Sequence, residues 1–182
     1  MRYIYNKNKK MNVLFIGASS ELALKLSDKL SFNVYGISRK KNSKYKKVFL
    51  IKKYNLKEIE KIINQIDVKF DNIFVFNGKY EISMLKFIDA DKFIENVHIN
   101  FLNPLKLINK LILNQKINEN GSITFISSYA ALNPEIGNAY YSISKNIVNF
   151  SIKILSKEFR KNKLRFNSIS AGFIKSKLAD QT

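Results

Sequence analysis

Short apolar segments alternate with amphipathic segments along nearly the whole of this 182-residue sequence. The apolar segments are four to six residues long, which is typical of strands buried on both faces of a parallel sheet. The segments between them repeat apolar residues at every third or fourth position, and this period predicts helices. Alternation of strands and helices implies right-handed βαβ crossovers. The chain is therefore predicted to fold as one α/β domain with a doubly wound parallel sheet.

The pattern places six strands and four main helices. The strands are expected at residues 13–16, 33–38, 48–51, 72–77, 122–127 and 164–169. The helices are expected at residues 21–30, 56–66, 96–118 and 140–161. Gly121 is expected to end the third helix. Helices on both faces of such a sheet would give a three-layer Rossmann fold, which binds ligands beyond the carboxyl ends of its strands.

The net charge of +18 raises the question of nucleic-acid binding. The 32 basic residues comprise 28 lysines and 4 arginines, whereas recognition of bases and phosphates favours the arginine fork. We therefore expect a solvated, lysine-rich surface and no specific nucleic-acid partner. Binding through the net charge remains an alternative, which the dependence of DNA affinity on salt would test.

Composition also excludes several classes of site. The absence of cysteine excludes disulfides, thiolate metal sites and a cysteine nucleophile. His98 is the single histidine, so we expect no metal site and a local structural role for His98. No apolar segment approaches the ~20 residues of a membrane-spanning helix, and residues 1–10 are a polar, basic extension rather than a signal peptide. We expect a cytoplasmic protein without a membrane partner, with its folded domain at residues 11–182.

The turn after the first predicted strand favours a dinucleotide. Gly17 and the small residues after it would let the backbone approach a pyrophosphate at the start of a helix. The residues of this turn predicted to contact the cofactor are Gly17, Ser19, Ser20, Glu21 and Leu22. Alone, the turn also fits an ordinary strand–helix connection with a serine cap.

The turns after the second and fourth strands add to this prediction. Ser38, Arg39 and Lys40 end the second predicted strand and are predicted to contact the cofactor. Arg39 and Lys40 would attract a 2′-phosphate, whereas an acidic residue there would bind a ribose hydroxyl. The sequence therefore predicts NADP(H) in preference to NAD(H). Asn77 and Gly78 form a small polar turn that suits contact with the same cofactor.

Tyr141 and Lys145 stand four residues apart, so they share one face of the predicted fourth helix. A nearby ammonium favours the phenolate and would lower the pKa of Tyr141 from about 10 toward neutrality. Tyr141 is then a candidate general acid/base. Ser128, at the end of the fifth strand, could hydrogen-bond the same substrate oxygen. A bare Tyr-x-x-x-Lys pair also arises by chance in a chain with nine tyrosines.

In this order and context, the motifs resemble those of the short-chain dehydrogenase/reductase family, from Met11 to the C-terminus. Residues 17–23 resemble the family's Thr-Gly-x-x-x-Gly-x-Gly cofactor loop, although Glu21 and Ala23 stand where the family usually has glycine. The Asn77 turn resembles the family's Asn-Asn-Ala-Gly motif. Tyr141-x-x-x-Lys is the family signature, and Ser128 precedes Tyr141 by 13 residues, a spacing common in the family.

The resemblance extends to further residues. Asn100 falls where the family has its catalytic asparagine. Residues 166–172 resemble the Asn-x-x-x-Pro-Gly turn after the sixth strand, and Ser176 matches the threonine that follows it. The cofactor contacts that we add on this basis are Asn55, Gly172, Ile174 and Ser176, together with Tyr141 and Lys145.

The resemblance implies an NAD(P)(H)-dependent oxidoreductase that transfers a hydride between nicotinamide and a carbonyl or alcohol substrate. It implies that Tyr141 moves the proton at the substrate oxygen and that Lys145 holds the nicotinamide ribose. It implies that Ser128 polarises the carbonyl and that Asn100 holds a water that relays protons. It also implies a homo-oligomer, a dimer or tetramer built on the helices at residues 96–118 and 140–161.

The chain ends at Thr182, soon after the sixth predicted strand. Against the family pattern we expect the seventh strand and the substrate-covering lid to be missing, which leaves the substrate unpredicted. Two alternatives remain open. One is a truncated or non-catalytic Rossmann-fold binding protein, and the other is a relative of the nucleotide-sugar epimerases and dehydratases.

Overall fold

The computed structural model of the chain describes residues 10–174. The strands are β1 (Asn12–Ile16), β2 (Asn33–Ser38), β3 (Lys47–Leu50), β4 (Phe70–Val75), β5 (Ile117–Ser128) and β6 (Arg165–Ala171). The helices are α1 (Glu21–Ser27), α2 (Leu56–Gln65), α3 (Ala90–Val97), α4 (Asn103–Leu113) and α5 (Ala139–Glu158). The strands are parallel and lie in the order β3-β2-β1-β4-β5-β6. The predicted doubly wound parallel sheet is confirmed.

Residues of β1 show how the sheet becomes the middle of three layers. Leu14 and Ile16 belong to an apolar cluster that includes residues of α2, α4 and α5. Val13 and Phe15 point to the opposite face, where they pack with Ala23 of α1. Because successive side chains of a strand point to opposite faces, one unbroken apolar segment supplies both halves of the core. The predicted three-layer arrangement is therefore confirmed.

The strand order reverses beside β1, which has β2 on one side and β4 on the other. Chain segments leaving β1 and β4 turn away to different faces of the sheet, which opens a crevice at their carboxyl ends. The turns after β1, β2 and β4 line this crevice. In the described range 10–174, every helix is too short or too polar to cross a membrane.

The third predicted helix differs from the structure at both ends. Helical backbone begins at Ala90 in α3, continues through a five-residue π-helical turn at His98–Leu102, and ends with α4 at Leu113. The prediction of helix over 96–118 is therefore wrong at its C-terminal end. Residues from Ile117 onward are already part of β5.

Gly121 lies inside β5 and does not end a helix, which corrects the second part of that prediction. The pairing of β5 with β4 shifts register between Phe70 and Asn72, opposite this glycine. A Cβ at Gly121 would lie 2.8 Å from the carbonyl oxygen of Asn118. The irregularity therefore requires a residue without a side chain, as is common where a strand bulges.

Candidate active site

A cleft of about 1230 Å³ opens at the carboxyl ends of β1, β2, β4 and β5. The predicted site residues that line it are Gly17, Ser19, Ser20, Glu21, Leu22, Ser38, Arg39, Asn77, Gly78, Ser128, Tyr141, Lys145, Gly172 and Ile174. These residues come from most of the length of the chain. The topology therefore gathers into one cavity the turns that the sequence analysis had selected separately.

Gly17 forms the tightest point of the cleft floor. Its φ of 78° lies in the left-handed region that favours glycine. A Cβ at this position would lie 2.9 Å from the main-chain nitrogen of Asn77. The N–H groups of Gly17 and Ala18 both donate to the carbonyl oxygen of Ile37, at 3.0 and 3.1 Å. The turn after β1 is thus held between β2 and the turn after β4, with room for main chain only.

Ser20 and Glu21 begin α1 at the edge of the cleft. Ser20 is the N-cap residue, and its hydroxyl oxygen accepts a hydrogen bond from the N–H of Ala23 at 3.2 Å. Glu21 forms an ion pair of 2.7 Å with Lys25 one turn later. Because the glutamate replaces a glycine of the family motif, this pairing compensates part of the negative charge that it brings to the cleft.

Ser128, Tyr141 and Lys145 meet at the other end of the cleft. Tyr141 and Lys145 lie one turn apart on α5, and the Lys145 ammonium stands over the Tyr141 ring, 5.7 Å from its centre. Ser128 ends β5, and its hydroxyl oxygen accepts a hydrogen bond from the N–H of Ala130 at 3.2 Å. The fold therefore brings together the three side chains predicted to perform proton chemistry.

Lys145 is buried, with 3% of its surface exposed. Its ammonium donates to the carbonyl oxygens of Ile126 at 2.9 Å and Asn77 at 3.3 Å. Burial lowers the pKa of Lys145 to about 8, because an ammonium loses more on leaving water than a neutral amine does.

The pKa of Tyr141 is raised, not lowered. Burial is the main cause, while the Ser128 side chain acts in the opposite direction and Tyr80 adds to the increase. The prediction that Lys145 lowers the pKa of this phenol is therefore wrong for this structure. The Lys145 ammonium lies over the ring and donates to main-chain carbonyls.

Asn100 lies in the π-helical turn and, within residues 10–174, outside the lining of the cleft. Its side-chain oxygen accepts from the N–H of Lys79 at 2.7 Å. Its amide nitrogen lies within 3.2 Å of three acceptors, on Lys79, Asn96 and Ser144. Both ends of the amide are thus bonded to protein. The predicted role of holding a proton-relay water is not supported by this placement.

Two other predicted cofactor contacts lie outside the lining of the cleft in the described part of the chain. Asn55 caps α2, with its side-chain oxygen accepting from the N–H of Glu58 at 2.9 Å. Lys40 is exposed to solvent. Both cofactor contacts therefore stay predictions, and Ser176 lies outside the described residues.

The sequence analysis missed several residues that line the cleft. Lys52, Lys53 and Tyr54 lie two to four residues past the end of β3 and line the cleft, as Arg39 does. The N–H groups of both lysines donate to the Glu58 carboxylate, at 2.6 and 2.8 Å. The Tyr54 hydroxyl accepts from the Asn77 amide at 3.2 Å. The rule applied to the second and fourth strands, that residues just past a strand face the crevice, would have found them on the third.

A family model described as enoyl-(acyl carrier protein) reductase matches residues 53–182, which is 130 of the 182 residues. The chain belongs to the short-chain dehydrogenase/reductase family. The resemblance seen in the sequence motifs is therefore confirmed. The family model of this short-chain dehydrogenase/reductase covers the segment from the end of β3 onward, which carries Asn77, Ser128, Tyr141 and Lys145.

A sequence relative of this short-chain dehydrogenase/reductase is a 3-oxoacyl-[acyl-carrier-protein] reductase of Mus musculus, 32% identical over 95 residues. The match covers 52% of this chain and 39% of the mouse protein. The chain therefore matches about two fifths of the length of that curated relative.

Solved structures agree on the fold. A short-chain dehydrogenase family protein from Francisella tularensis superposes with a TM-score of 0.83 at 20% identity, covering 95% of this chain and 74% of that one. A 4-hydroxyisoleucine dehydrogenase in complex with NADH and succinate superposes with a TM-score of 0.74 at 25% identity, covering 93% and 85%.

Proposed function

We propose that this chain is an NADP(H)-dependent oxidoreductase that interconverts a carbonyl compound and an alcohol. The observation that carries the proposal is the meeting of Ser128, Tyr141 and Lys145 at one end of a cleft whose floor is the Gly17 turn. A cleft of this size suits a dinucleotide with a small substrate beside it, since it exceeds the ~300–1,000 Å³ of ordinary ligand pockets.

The residues of the cleft fit a nicotinamide dinucleotide. Gly17 lines the cleft and packs against the main chain of Asn77, where a Cβ would not fit. As a glycine it also lets the backbone approach a pyrophosphate. A structural neighbour, the 4-hydroxyisoleucine dehydrogenase, is complexed with NADH. We infer that Gly17 and Asn77 contact the cofactor, with Lys145 at its nicotinamide end. When bound, the nicotinamide supplies or accepts the hydride.

The charged residues that line the cleft after β2 and β3 support NADP(H) in preference to NAD(H). They are Arg39, Lys52 and Lys53, and three cations suit a 2′-phosphate better than a ribose hydroxyl. Of the described residues in the lining, only Glu21 and Glu135 are acidic, and Glu21 is paired with Lys25.

Tyr141 would donate a proton to the carbonyl oxygen during reduction and remove it during oxidation. Ser128, on the neighbouring strand end, would hydrogen-bond the same oxygen and hold it near the phenol. Lys145 carries its charge at neutral pH because its pKa is about 8. Its ammonium, which two main-chain carbonyls hold in place, would bind the nicotinamide ribose.

Thermal unfolding with NADPH and with NADH tests the cofactor proposal. NADPH is expected to raise the melting temperature at lower concentration than NADH does. No shift with either nucleotide would contradict a nicotinamide cofactor for this chain.

Turnover of a panel of ketones tests the role of Tyr141. Tyr141→Phe is expected to lose about 10²–10⁴-fold in kcat, while stabilisation by NADPH persists. A Tyr141→Phe variant with unchanged turnover would contradict the proposed acid/base role. Unchanged NADPH binding with no turnover by the unaltered chain would favour a non-catalytic binding protein.

We also propose that the chain self-associates through α5. Ile143, Phe150 and Ile154 repeat at helical spacing on this helix, and all three are exposed, Phe150 at 64%. An apolar stripe of this kind on a helix is a common interface between subunits.

A further inference from the structure

Tyr80 stands beside the candidate acid/base Tyr141 in a way that the proposed chemistry does not use. The two rings meet edge to face, with centres 5.0 Å apart and planes at 71°. The Tyr80 hydroxyl donates to the side-chain oxygen of Asn138 at 2.6 Å. Asn138 directly precedes α5, the helix that carries Tyr141. Tyr80 therefore contacts both the ring of Tyr141 and the start of its helix.

The hydrogen bond from Tyr80 to Asn138 takes the place of the usual N-cap hydrogen bond of a helix. Asparagine at a helix N-cap usually accepts a hydrogen bond from the first turn. Among the described residues, the side chain of Asn138 makes no such capping bond, and it accepts from Tyr80 instead. The N-terminal end of α5 is thereby fastened to the loop after β4.

That loop is held on both sides of Tyr80. On one side, the peptide groups of Lys79 are bound by two buried amides, since Asn100 accepts from its N–H at 2.7 Å and Asn96 donates to its carbonyl at 3.3 Å. On the other side, the N–H of Ser83 donates to the carbonyl oxygen of Gly137 at 2.7 Å. Tyr80 is thus presented by a rigid segment, as precise sites require.

We propose that Tyr80 is a positioning residue that fixes the Tyr141 phenol beside Ser128. An edge-to-face partner restricts the orientations open to the Tyr141 ring. A reacting group displaced by about 1 Å can lose 10²-fold in rate. The expected effect on reaction rate rests on the proposed oxidoreductase function, whereas the expected effect on the position of the Tyr141 ring does not.

Nuclear magnetic resonance of the chain labelled at the tyrosine Cζ carbon tests the positioning directly. The signal that is missing from the spectrum of Tyr141→Phe belongs to Tyr141. Tyr80→Leu is expected to shift that signal and to lower its titration midpoint, because water then reaches the phenol. Tyr80→Phe keeps the ring and is expected to restore a near-normal signal. Asn138→Ala removes the acceptor without altering either ring, and is expected to match Tyr80→Phe.

The control is Phe93→Leu, which removes the aromatic neighbour of Tyr140, whose ring centre lies 5.7 Å away. This variant should leave the Tyr141 signal unchanged. If Tyr80→Leu moves the Tyr141 signal no more than Phe93→Leu does, the positioning role is wrong, whether or not the protein turns over. Melting temperatures of the four variants identify any that fails to fold. If Tyr80→Leu fails, equal small shifts of the Tyr141 signal in Tyr80→Phe and Asn138→Ala, both larger than in Phe93→Leu, would support positioning. Shifts no larger than in Phe93→Leu would contradict it.

Kinetics give a second readout. Tyr80→Leu is expected to lower kcat by about 10–100-fold with the NADPH dissociation constant unchanged within about twofold, and Tyr80→Phe to recover most of the loss. A fall in NADPH affinity with unchanged kcat would contradict positioning. Absence of turnover in every variant and in the unaltered chain would contradict the proposed function and leave the resonance test to judge Tyr80.

Discussion

The side-chain nitrogen of Lys145 donates a hydrogen bond to the main-chain carbonyl oxygen of Ile126 at 2.9 Å. Ile126 lies two residues before Ser128 on β5. The reverse contact also exists, because the Ser127 hydroxyl donates to the carbonyl oxygen of Lys145 at 3.1 Å. These bonds fasten α5 to β5 directly. They fix the position of Ser128 relative to Tyr141, so it does not depend on the irregular loop between the two elements.

The burial of Lys145 makes stability depend on pH. Because its pKa is about 8 in the folded chain and 10.5 as the ordinary value, the unfolded chain binds more protons between these two values. Stability therefore rises with pH through that window. The full rise is on the order of 3–4 kcal/mol, because each unit of difference between the two pKa values contributes about 1.4 kcal/mol.

Lys145→Met removes this titration while keeping an apolar chain of similar length. We compare the free energies of unfolding as the variant minus the unaltered chain. This difference is expected to be constant below pH 8 and to fall by the same amount between pH 8 and pH 10.5. Denaturant unfolding at a series of pH values measures the difference. A difference that does not change with pH would show that Lys145 is solvated in the folded chain.

Arg39 and Lys40 are adjacent in sequence, but the structure separates their roles. Arg39 lines the cleft, whereas Lys40, among the residues described, lies outside its lining. Arg39→Ala is expected to weaken NADPH binding by about 10–100-fold, the loss of a charge-assisted phosphate contact, and to change NADH binding less than twofold. Lys40→Ala is the matched control and is expected to leave both affinities unchanged. Calorimetry with the two nucleotides measures them, and equal losses from both variants would place the phosphate elsewhere.

The sequence predicted the architecture because each strand carries an unambiguous apolar segment. The periods of two and 3.6 residues separate strand from helix in most places, and β2 at Asn33–Ser38 is found as predicted. The prediction failed after α4, where residues 117–121 include two asparagines and a glycine that are poor strand formers. There the partner strand β4, and not local preference, determines the structure.

Residues of the candidate site could be predicted where they lie at or just past the carboxyl end of a strand. Gly17, Ser128 and Tyr141 all follow or face strand ends, and they line the cleft. Asn55 and Asn100 lie outside the described lining of the cleft, because an asparagine side chain can equally cap a helix or bind a peptide group. Only tertiary contacts distinguish these uses. Tyr80 was missed because its importance comes from Asn138, which lies 58 residues away.

The apolar stripe on α5 leads to a prediction about assembly. Phe150→Lys places a charge in the middle of that stripe, at a side chain that is 64% exposed in the single chain. If the stripe is an interface, a buried unpaired charge would shift the chain toward the monomer, and light scattering coupled to gel filtration would show the lower mass. Gln65→Lys, an exposed change on α2 that adds the same single charge, controls for altered net charge. An unaltered chain that is itself monomeric at all concentrations would contradict self-association.

Alanine is expected to lower the free energy of unfolding at Gly17 and to leave it nearly unchanged at Gly172, the second glycine of the cleft. A Cβ at Gly17 would lie 2.9 Å from the main-chain nitrogen of Asn77 and on a backbone with φ of 78°. Main chain cannot move aside as a flexible side chain can, so Gly17→Ala is expected to cost about 2–4 kcal/mol of unfolding free energy through strain and overpacking. A Cβ at Gly172 would meet none of the described atoms within 4 Å, so Gly172→Ala is expected to stay within about 0.5 kcal/mol. Denaturant unfolding of both variants measures the contrast. A Gly17→Ala variant as stable as Gly172→Ala would mean that the turn after β1 is not pressed against Asn77, and the proposed cofactor contact at Gly17 would lose its structural basis.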